Sequence, residues 1–209
     1  MGQPVRAPDR PVAWEPRSRP QEALLACPVF EVFFGGARGS LKTDGVIGEF
    51  ACHADLYRQH AIGIMLRRDR TELIEAIERS KQIYPLIGAK FNEQEKFWRF
   101  DNGARLRFAY LENDNDAMAY QGHSYTRVYP EELGNFPNRA PIDKMKATLR
   151  SAQGVPVGMR ATGNPGGPGH QWVKGRYIDP APMGWRVIPE DFKNPFTGEI
   201  AVKERVFIP

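Results

Sequence analysis

The chain has 209 residues, 41% of them hydrophobic, and 29 basic side chains against 25 acidic ones give it a formal net charge of +4. This length and composition fit one sizeable hydrophobic core, and a mean hydropathy of -0.51 without a long apolar run excludes a membrane-spanning helix, so no membrane partner is expected. Two cysteines, Cys27 and Cys52, exclude a disulfide framework and fit a reducing compartment. The mild basic excess permits a polyanionic partner without requiring one.

The first 20 residues are rich in proline and arginine and carry no periodic apolar pattern. They predict a flexible N-terminal arm (1–20) ahead of a folded domain (21–209), although an ordinary frayed terminus would give the same pattern.

The rest of the chain alternates short apolar runs with amphipathic stretches. The predicted strands span residues 29–34, 61–66, 126–129, 157–161 and 185–188, and the predicted helices span 42–54, 71–84 and 141–151. Between them, residues 90–110 alternate aromatic and charged side chains around a turn at 101–103, which is typical of an antiparallel hairpin. This order predicts an α/β fold with a mainly parallel central sheet between helices and an added antiparallel hairpin. Such sheets bind ligands at the carboxyl ends of their strands.

A glycine-rich loop between the first predicted strand and the first predicted helix carries the pattern of a phosphate-binding loop, G-x-x-x-x-G-K-T, with one departure. Leu41 replaces the last glycine, which matters only if that position requires a positive φ or leaves no room for a side chain. Lys42 would reach the β- and γ-phosphates, Thr43 would hold magnesium, and Arg38 would contact phosphate oxygens or the charge of the transition state. The predicted nucleotide-binding residues of the loop are Gly36, Ala37, Arg38, Gly39, Ser40, Leu41, Lys42 and Thr43.

Two acids follow the predicted strand at 126–129. Glu131 is predicted to hold magnesium through water, and Glu132 to orient and deprotonate the attacking water. An acidic pair at a helix N-terminus would serve structure alone, and aspartate is the usual first acid. A third strand-end loop carries Thr162 and Asn164, which are expected to bond the γ-phosphate or the acid pair.

These loops resemble the ATPase domain of the large terminase subunit of tailed bacteriophages. The resemblance runs from about residue 21 to 209 and is carried by GGARGSLKTD at 35–44, LRRD at 66–69, AYQGHSYTRVYPEELGNFP at 119–137 and ATGNPGG at 161–167. It implies a RecA-like P-loop fold of the additional-strand, catalytic-glutamate type, with ATP and Mg²⁺ as cofactors. It also implies that Gln21 lies near the adenine and that residues 162–164 couple hydrolysis to movement.

The same resemblance implies a motor that translocates double-stranded DNA into a procapsid in the host cytoplasm. Its implied partners are the portal protein, the small terminase subunit and further copies of itself in a ring, with the isolated domain mostly monomeric. The family's nuclease domain has no counterpart in these residues, so a fragment without nuclease activity is expected. Some relatives place a trans-acting arginine where this chain has Gln121, which leaves Arg38, Arg67, Arg68 and Arg127 as candidates.

Two other functions remain open at this stage. A helicase-like or other P-loop ATPase acting on nucleic acid would share the first two motifs, although it would need a second RecA-like domain. A degenerate, non-catalytic nucleotide-binding scaffold would explain Leu41 and Glu131. The basic and aromatic hairpin at 90–110 either grips a phosphate backbone or forms a solvated face of the sheet. Its candidate DNA-contacting residues are Lys96, Trp98, Arg99, Arg105 and Arg107.

Overall fold

A computed structural model describes residues 12–37, 39 and 41–209. Two residues of the predicted phosphate loop, Arg38 and Ser40, lie outside the described residues, as does the predicted arm up to residue 11.

The described residues form one nine-stranded sheet in the order β3-β4-β5-β2-β6-β7-β1-β9-β8. The strands are β1 (Glu31–Phe34), β2 (Ile62–Arg67), β3 (Ala89–Asn92), β4 (Phe97–Phe100), β5 (Arg105–Tyr110), β6 (Arg127–Pro130), β7 (Gly158–Thr162), β8 (Ile188–Lys193) and β9 (Ile200–Ile208). From β5 to β9 every neighbouring pair is parallel, whereas β3, β4 and β8 pair antiparallel at the two edges. The predicted mainly parallel α/β fold with an added antiparallel hairpin is confirmed.

Helices cover both faces of the sheet. They are α1 (Arg19–Ala26), α2 (Lys42–Tyr57), α3 (Leu73–Ile83), α4 (Ala140–Lys146) and α5 (His170–Val173), the last continuing into a π-turn at Lys174–Ile178. Helices α1 to α3 pack on one face around Val46, Ile47 and Phe50 of α2, which are fully buried. Helices α4 and α5 cover the other face through Ile142, Met145 and Val173.

The edges of the sheet differ from the sequence-based prediction. The expected hairpin at 90–110 is a meander of three strands, whose last strand, β5, joins the parallel part of the sheet beside β2. The strand expected at 185–188 is wrong, because β8 begins only at Ile188. Strand β9 was not predicted: its residues 200–205 are exposed or half-buried, and only its last three are buried, beside β1. The burial of these last residues therefore depends on a partner strand, β1, about 170 positions away in the chain.

The described part of the predicted arm contacts the domain. The Trp14 indole donates to Asp44 Oδ2 at 2.9 Å and lies over Gly48 of α2, where an added Cβ would be 2.1 Å from its ring. Ser18 caps α1, accepting from the Gln21 backbone N–H at 3.4 Å. These contacts do not define where the domain begins, so the boundary at residue 20 stays a prediction. None of the described helices is long and apolar enough to cross a bilayer.

Candidate nucleotide-binding site

A cleft of about 850 Å³ lies at the carboxyl ends of the central strands. Its walls come from the loop between β1 and α2, from the ends of β2 and β6, from the loop after β7, and from one side of α3. Among the predicted site residues, the cleft is lined by Gly39, Leu41, Lys42, Thr43, Glu132 and Asn164. Parallel strands explain this convergence, since their carboxyl ends meet at one edge of the sheet.

The predicted phosphate loop adopts the positive backbone angles that its glycines permit. The φ angles are 123° at Gly36 and 81° at Gly39, and Leu41 itself has φ 56° and ψ 32°. The departure from the usual glycine therefore falls at a left-handed position, which costs a leucine about 1–2 kcal/mol. The Leu41 side chain is 44% exposed, so the cost is backbone strain and the side chain has room.

Lys42 opens α2 and is only 6% exposed. Its ammonium donates to the Ala37 carbonyl at 2.8 Å, to the Gly36 carbonyl at 3.5 Å and to Asn164 Oδ1 at 2.7 Å. Burial lowers the pKa of Lys42, and the charges of Glu132 and Glu131 oppose that shift. The lysine therefore joins the phosphate loop to the end of β7.

Asn164 connects Lys42 to Glu132. Its Nδ2 donates to both carboxylate oxygens of Glu132, each at 2.9 Å. The Glu132 backbone N–H donates to Thr162 Oγ1 at 3.3 Å, and Glu132 has a left-handed backbone with φ 50°. We call the chain Lys42–Asn164–Glu132 the strand-end bridge, because it links the loops that follow β1, β7 and β6.

Two glycine-containing loops pack directly against each other beside this bridge. A Cβ on Gly134 would lie 2.5 Å from the Gly166 carbonyl oxygen, and one on Gly167 would lie 2.5 Å from the Gly134 carbonyl oxygen. The Gly169 backbone N–H donates to the Gly134 carbonyl at 2.7 Å. No role for these glycines was predicted from the sequence, because only the fold shows that the loops after β6 and β7 touch.

Glu131 is fully buried and its two oxygens have different surroundings. Oε2 lies 3.0 Å from both Nε and Nη2 of Arg67, whereas Oε1 has no hydrogen-bond partner among the described residues. Arg67 Nη2 also lies 3.5 Å from Thr43 Oγ1. Burial raises the pKa of Glu131, against the lowering effects of the Arg67 charge and the Thr43 hydroxyl.

These residues fit a magnesium ion. Magnesium takes oxygen ligands and keeps several of them as water or phosphate, and the unpartnered Glu131 Oε1 with the nearby Thr43 hydroxyl supplies oxygens of that kind. The described residues contain no group of three or more histidine, cysteine or acidic side chains that could hold a metal by themselves. A metal here would therefore take its further ligands from bound phosphate or water.

The structure shows the contacts of Gln21 within the chain, and its predicted place near the adenine stays a prediction. Gln21 is fully buried and does not line the cleft. Its Nε2 donates to the Leu41 carbonyl at 3.0 Å and to Asp44 Oδ2 at 3.3 Å, and its Oε1 accepts from the Arg17 backbone N–H at 2.6 Å. Gln21 therefore supports the predicted phosphate loop through the Leu41 carbonyl.

Asp44 is a buried residue whose role was not predicted from the sequence. Besides Trp14 and Gln21 it binds Arg79 of α3, whose Nε lies 2.7 Å from Oδ1. The position of Asp44 in the first turn of α2 predicts a favourable interaction with the helix dipole. Its three partners could not be predicted, because they come from distant segments of the chain.

The arginines considered as candidates for a trans-acting role have different environments. Arg67 lines the cleft, while Arg68 pairs with Asp114 at 3.0 Å and Arg127 is buried against Glu49 at 2.9 Å. Arg38 lies outside the described residues. Among the described candidates, Arg67 alone reaches the cleft, and it does so within its own chain.

Solved structures of phage large terminases share this fold. The large terminase of a thermophilic bacteriophage matches with a TM-score of 0.63 at 18% identity, over 79% of this chain and 43% of that one. The complex of the same terminase with ATP-gamma-S matches with a TM-score of 0.61 at 18% identity, over 80% and 42%. The ATPase domain of the Thermus phage P74-26 large terminase matches with a TM-score of 0.59 at 14% identity, over 90% and 78%.

These likenesses establish the fold, which is the RecA-like P-loop fold of terminase ATPase domains. The expected structural resemblance is thereby confirmed. The chain spans 43% of the length of the thermophilic bacteriophage's terminase. No protein-family model and no curated protein sequence matches this chain.

The left-handed backbone at Leu41 leads to a first prediction. We expect Leu41→Gly to be more stable than Leu41→Ala by about 1 kcal/mol, because both variants lose the side chain and only glycine relieves the strain at positive φ. Urea unfolding of the two variants measures the difference. An alanine variant as stable as the glycine variant would contradict a left-handed position 41.

The buried pair Arg67–Glu131 leads to a second prediction. We expect Arg67→Gln to lower the free energy of unfolding at pH 8 by roughly 3–5 kcal/mol, because it leaves a buried carboxylate unpaired. The folded-state pKa of Glu131 is already raised, so the uncharged form is favoured on folding, and stability is lost as pH rises through that pKa. The loss should therefore be smaller at pH 5.

The matched control is Arg68→Gln at the next position. Arg68 and Asp114 are both partly exposed, so the loss should be about 1 kcal/mol or less at either pH. Equal losses of stability in the two variants, or a loss in Arg67→Gln that does not depend on pH, would contradict this prediction. Either result would show that Arg67→Gln does not leave a buried, unpaired charge on Glu131.

Proposed function

We propose that this chain is the ATP-hydrolysing motor domain of a bacteriophage large terminase, which powers the translocation of double-stranded DNA into a procapsid. The observation that carries the proposal is the strand-end bridge. It joins the residues predicted as phosphate ligand, coupling residue and general base, although Lys42 and Asn164 are 122 positions apart in the chain. The thermophilic bacteriophage's large terminase, which shares the fold, has been solved with ADP and with ATP-gamma-S.

The phosphates would enter where Lys42 now binds backbone carbonyls. The ammonium donates to Ala37 and to Asn164, and the oxygens of a β- or γ-phosphate would take over one or both places. The backbone N–H groups of the loop and of the first turn of α2 would surround the same phosphates. Two loop residues outside the described part, Arg38 and Ser40, belong to this proposed set.

Glu132 would act as the general base. Water attacks the γ-phosphorus, the bond from phosphorus to the bridging oxygen of ADP breaks, and the water proton passes to the Glu132 carboxylate. Asn164 already binds both Glu132 oxygens, so it fixes the plane of the carboxylate. The backbone hydrogen bond from Glu132 to Thr162 fixes the start of the same loop.

Magnesium would be held by Thr43 and, through water, by Glu131 Oε1, and when bound it would offset negative charge on the phosphates. Arg67 keeps the other Glu131 oxygen occupied, while Oε1 has no hydrogen-bond partner among the described residues. Arg67 thereby orients an acid that is otherwise costly to bury.

The strand-end bridge also offers a route from hydrolysis to movement. Asn164 contacts the lysine through its Oδ1 and the base through its Nδ2, so a γ-phosphate that draws Lys42 away frees one side of the amide. The loop after β7 then has two arrangements, one with nucleotide and one without. The working motor would add the portal protein, the small terminase subunit and further copies of the chain in a ring in the host cytoplasm, where a neighbouring subunit would supply any trans-acting arginine.

A third prediction tests the catalytic assignment. We expect Glu132→Gln to slow single-turnover hydrolysis of MgATP by roughly 100-fold or more, because a positioned general base contributes about that much. Its affinity for Mg-ATP-gamma-S should change little, whereas Lys42→Ala should lose that binding. Quenched-flow hydrolysis and titration calorimetry give the two readouts.

Glu75→Gln is the matched control, since Glu75 is an exposed acid lining the same cleft. It should hydrolyse ATP at close to the parent rate. Turnover that survives Glu132→Gln would show that the base is another residue. Nucleotide binding without hydrolysis by the parent chain would favour the non-catalytic nucleotide-binding scaffold, for which the strained Leu41 is the supporting observation.

A further inference from the structure

Three basic side chains lie side by side across the antiparallel edge of the sheet. Lys90 of β3 is in direct register with Arg99 of β4, and Arg99 is in direct register with Arg105 of β5. All three are exposed, and they line a shallow hollow of about 510 Å³. We call them the cation row. Neighbouring strands are about 4.8 Å apart, so the row places three positive charges along roughly 10 Å.

The cation row has no compensating partner within the described part of the chain. No ion pair or side-chain hydrogen bond joins any of the three to another described residue, and Asp101 is the one acid lining the hollow. Like charges directly opposite each other on adjacent strands destabilise a sheet. A polyanion laid across the row would remove that repulsion.

The face that carries the row presents charge and lacks exposed rings. The large aromatic side chains of the meander, Trp98, Phe100 and Phe108, are buried on the opposite face of the sheet. Phe97 is half-buried, and the Arg107 guanidinium lies 5.5 Å from its ring centre. Proteins that bind single strands stack bases on exposed aromatic rings. A flat row of cations without such rings fits the phosphate backbone of a duplex.

The cation row is well separated from the nucleotide site. Arg105 pairs with Ile62 at the start of β2, whereas Arg67, at the end of β2, lines the nucleotide cleft. Five residues of strand correspond to about 16 Å. The two sites therefore lie at opposite ends of the same strands, and substitutions in the row leave the cleft intact.

We propose that the cation row of Lys90, Arg99 and Arg105 is a docking surface for the phosphate backbone of double-stranded DNA. It deepens the proposed function by naming the surface on which the motor domain holds its substrate. The contact is sequence-independent, since the row meets phosphates and presents no group that reads base edges.

Salt dependence of DNA binding tests this surface. Binding of the full chain to a 30-base-pair duplex of arbitrary sequence is followed by fluorescence anisotropy at a series of KCl concentrations. The variant Lys90→Ala/Arg99→Gln/Arg105→Gln should reduce the slope of log K against log[KCl] by about 2.7, since each phosphate contact contributes about 0.9. Lys90→Ala alone should reduce it by about 0.9.

Lys193→Ala is the matched control, because Lys193 lies on β8 at the other edge of the sheet and is also exposed. It should leave the slope unchanged. An unaltered slope in the triple variant, an equal change in Lys193→Ala, or tighter binding of a single strand of the same length would each overturn the proposal. The same holds if the parent chain binds no duplex.

Nucleotide binding separates this inference from the function it rests on. The triple variant should bind Mg-ATP-gamma-S as the parent chain does, and Lys42→Ala should keep the salt dependence of DNA binding while losing nucleotide. A parent chain that binds duplex through the row but no nucleotide would contradict the ATPase assignment alone. A parent chain that hydrolyses ATP, with a salt dependence of DNA binding that the triple variant does not change, would contradict the docking surface alone.

Discussion

The arrangement of the cleft depends on one short chain of hydrogen bonds, from Lys42 through Asn164 to Glu132. Lys42 begins the helix after β1, whereas Asn164 and Glu132 lie just after β7 and β6. The amide of Asn164 is suited to the middle place because it accepts from a cation on one side and donates to a carboxylate on the other. An aspartate there would repel Glu132, and a lysine would repel Lys42. The bridge therefore specifies both the spacing and the charges of the site.

Two buried carboxylates, Asp44 and Glu131, connect the elements around the bridge. Asp44 connects α2 to α3 through Arg79, and with Gln21 it holds the strained backbone at Leu41. Glu131 connects the end of β6 to the end of β2 through Arg67. Burying such charges is costly unless each is paired, so both pairs constrain the geometry more than they add stability. The Arg67 pair leaves the other Glu131 oxygen, Oε1, without a hydrogen-bond partner among the described residues.

Much of the site can be predicted from sequence, because its chemistry is local. A short strand, glycines, Lys42-Thr43 and a helix predict a phosphate loop, and Glu131-Glu132 after another strand predicts the acid pair. Contacts between distant segments cannot be predicted in this way. The role of Gln21 depends on the folded loop behind which it packs. Strand β9 was missed because most of it is exposed, and the placement of the meander depends on β5 joining β2.

The most direct test of the strand-end bridge is the single-turnover rate of Asn164→Ala with saturating MgATP. We expect a fall of roughly 10- to 100-fold, the equivalent of a hydrogen bond to a charged group of about 1.5–3 kcal/mol, with affinity for Mg-ATP-gamma-S nearly unchanged. Asn135→Ala is the control, since Asn135 lines the same cleft and binds Glu72 at 2.9 Å. A parent-like rate in Asn164→Ala, or a loss of rate no greater than that of Asn135→Ala, would contradict the role of the bridge.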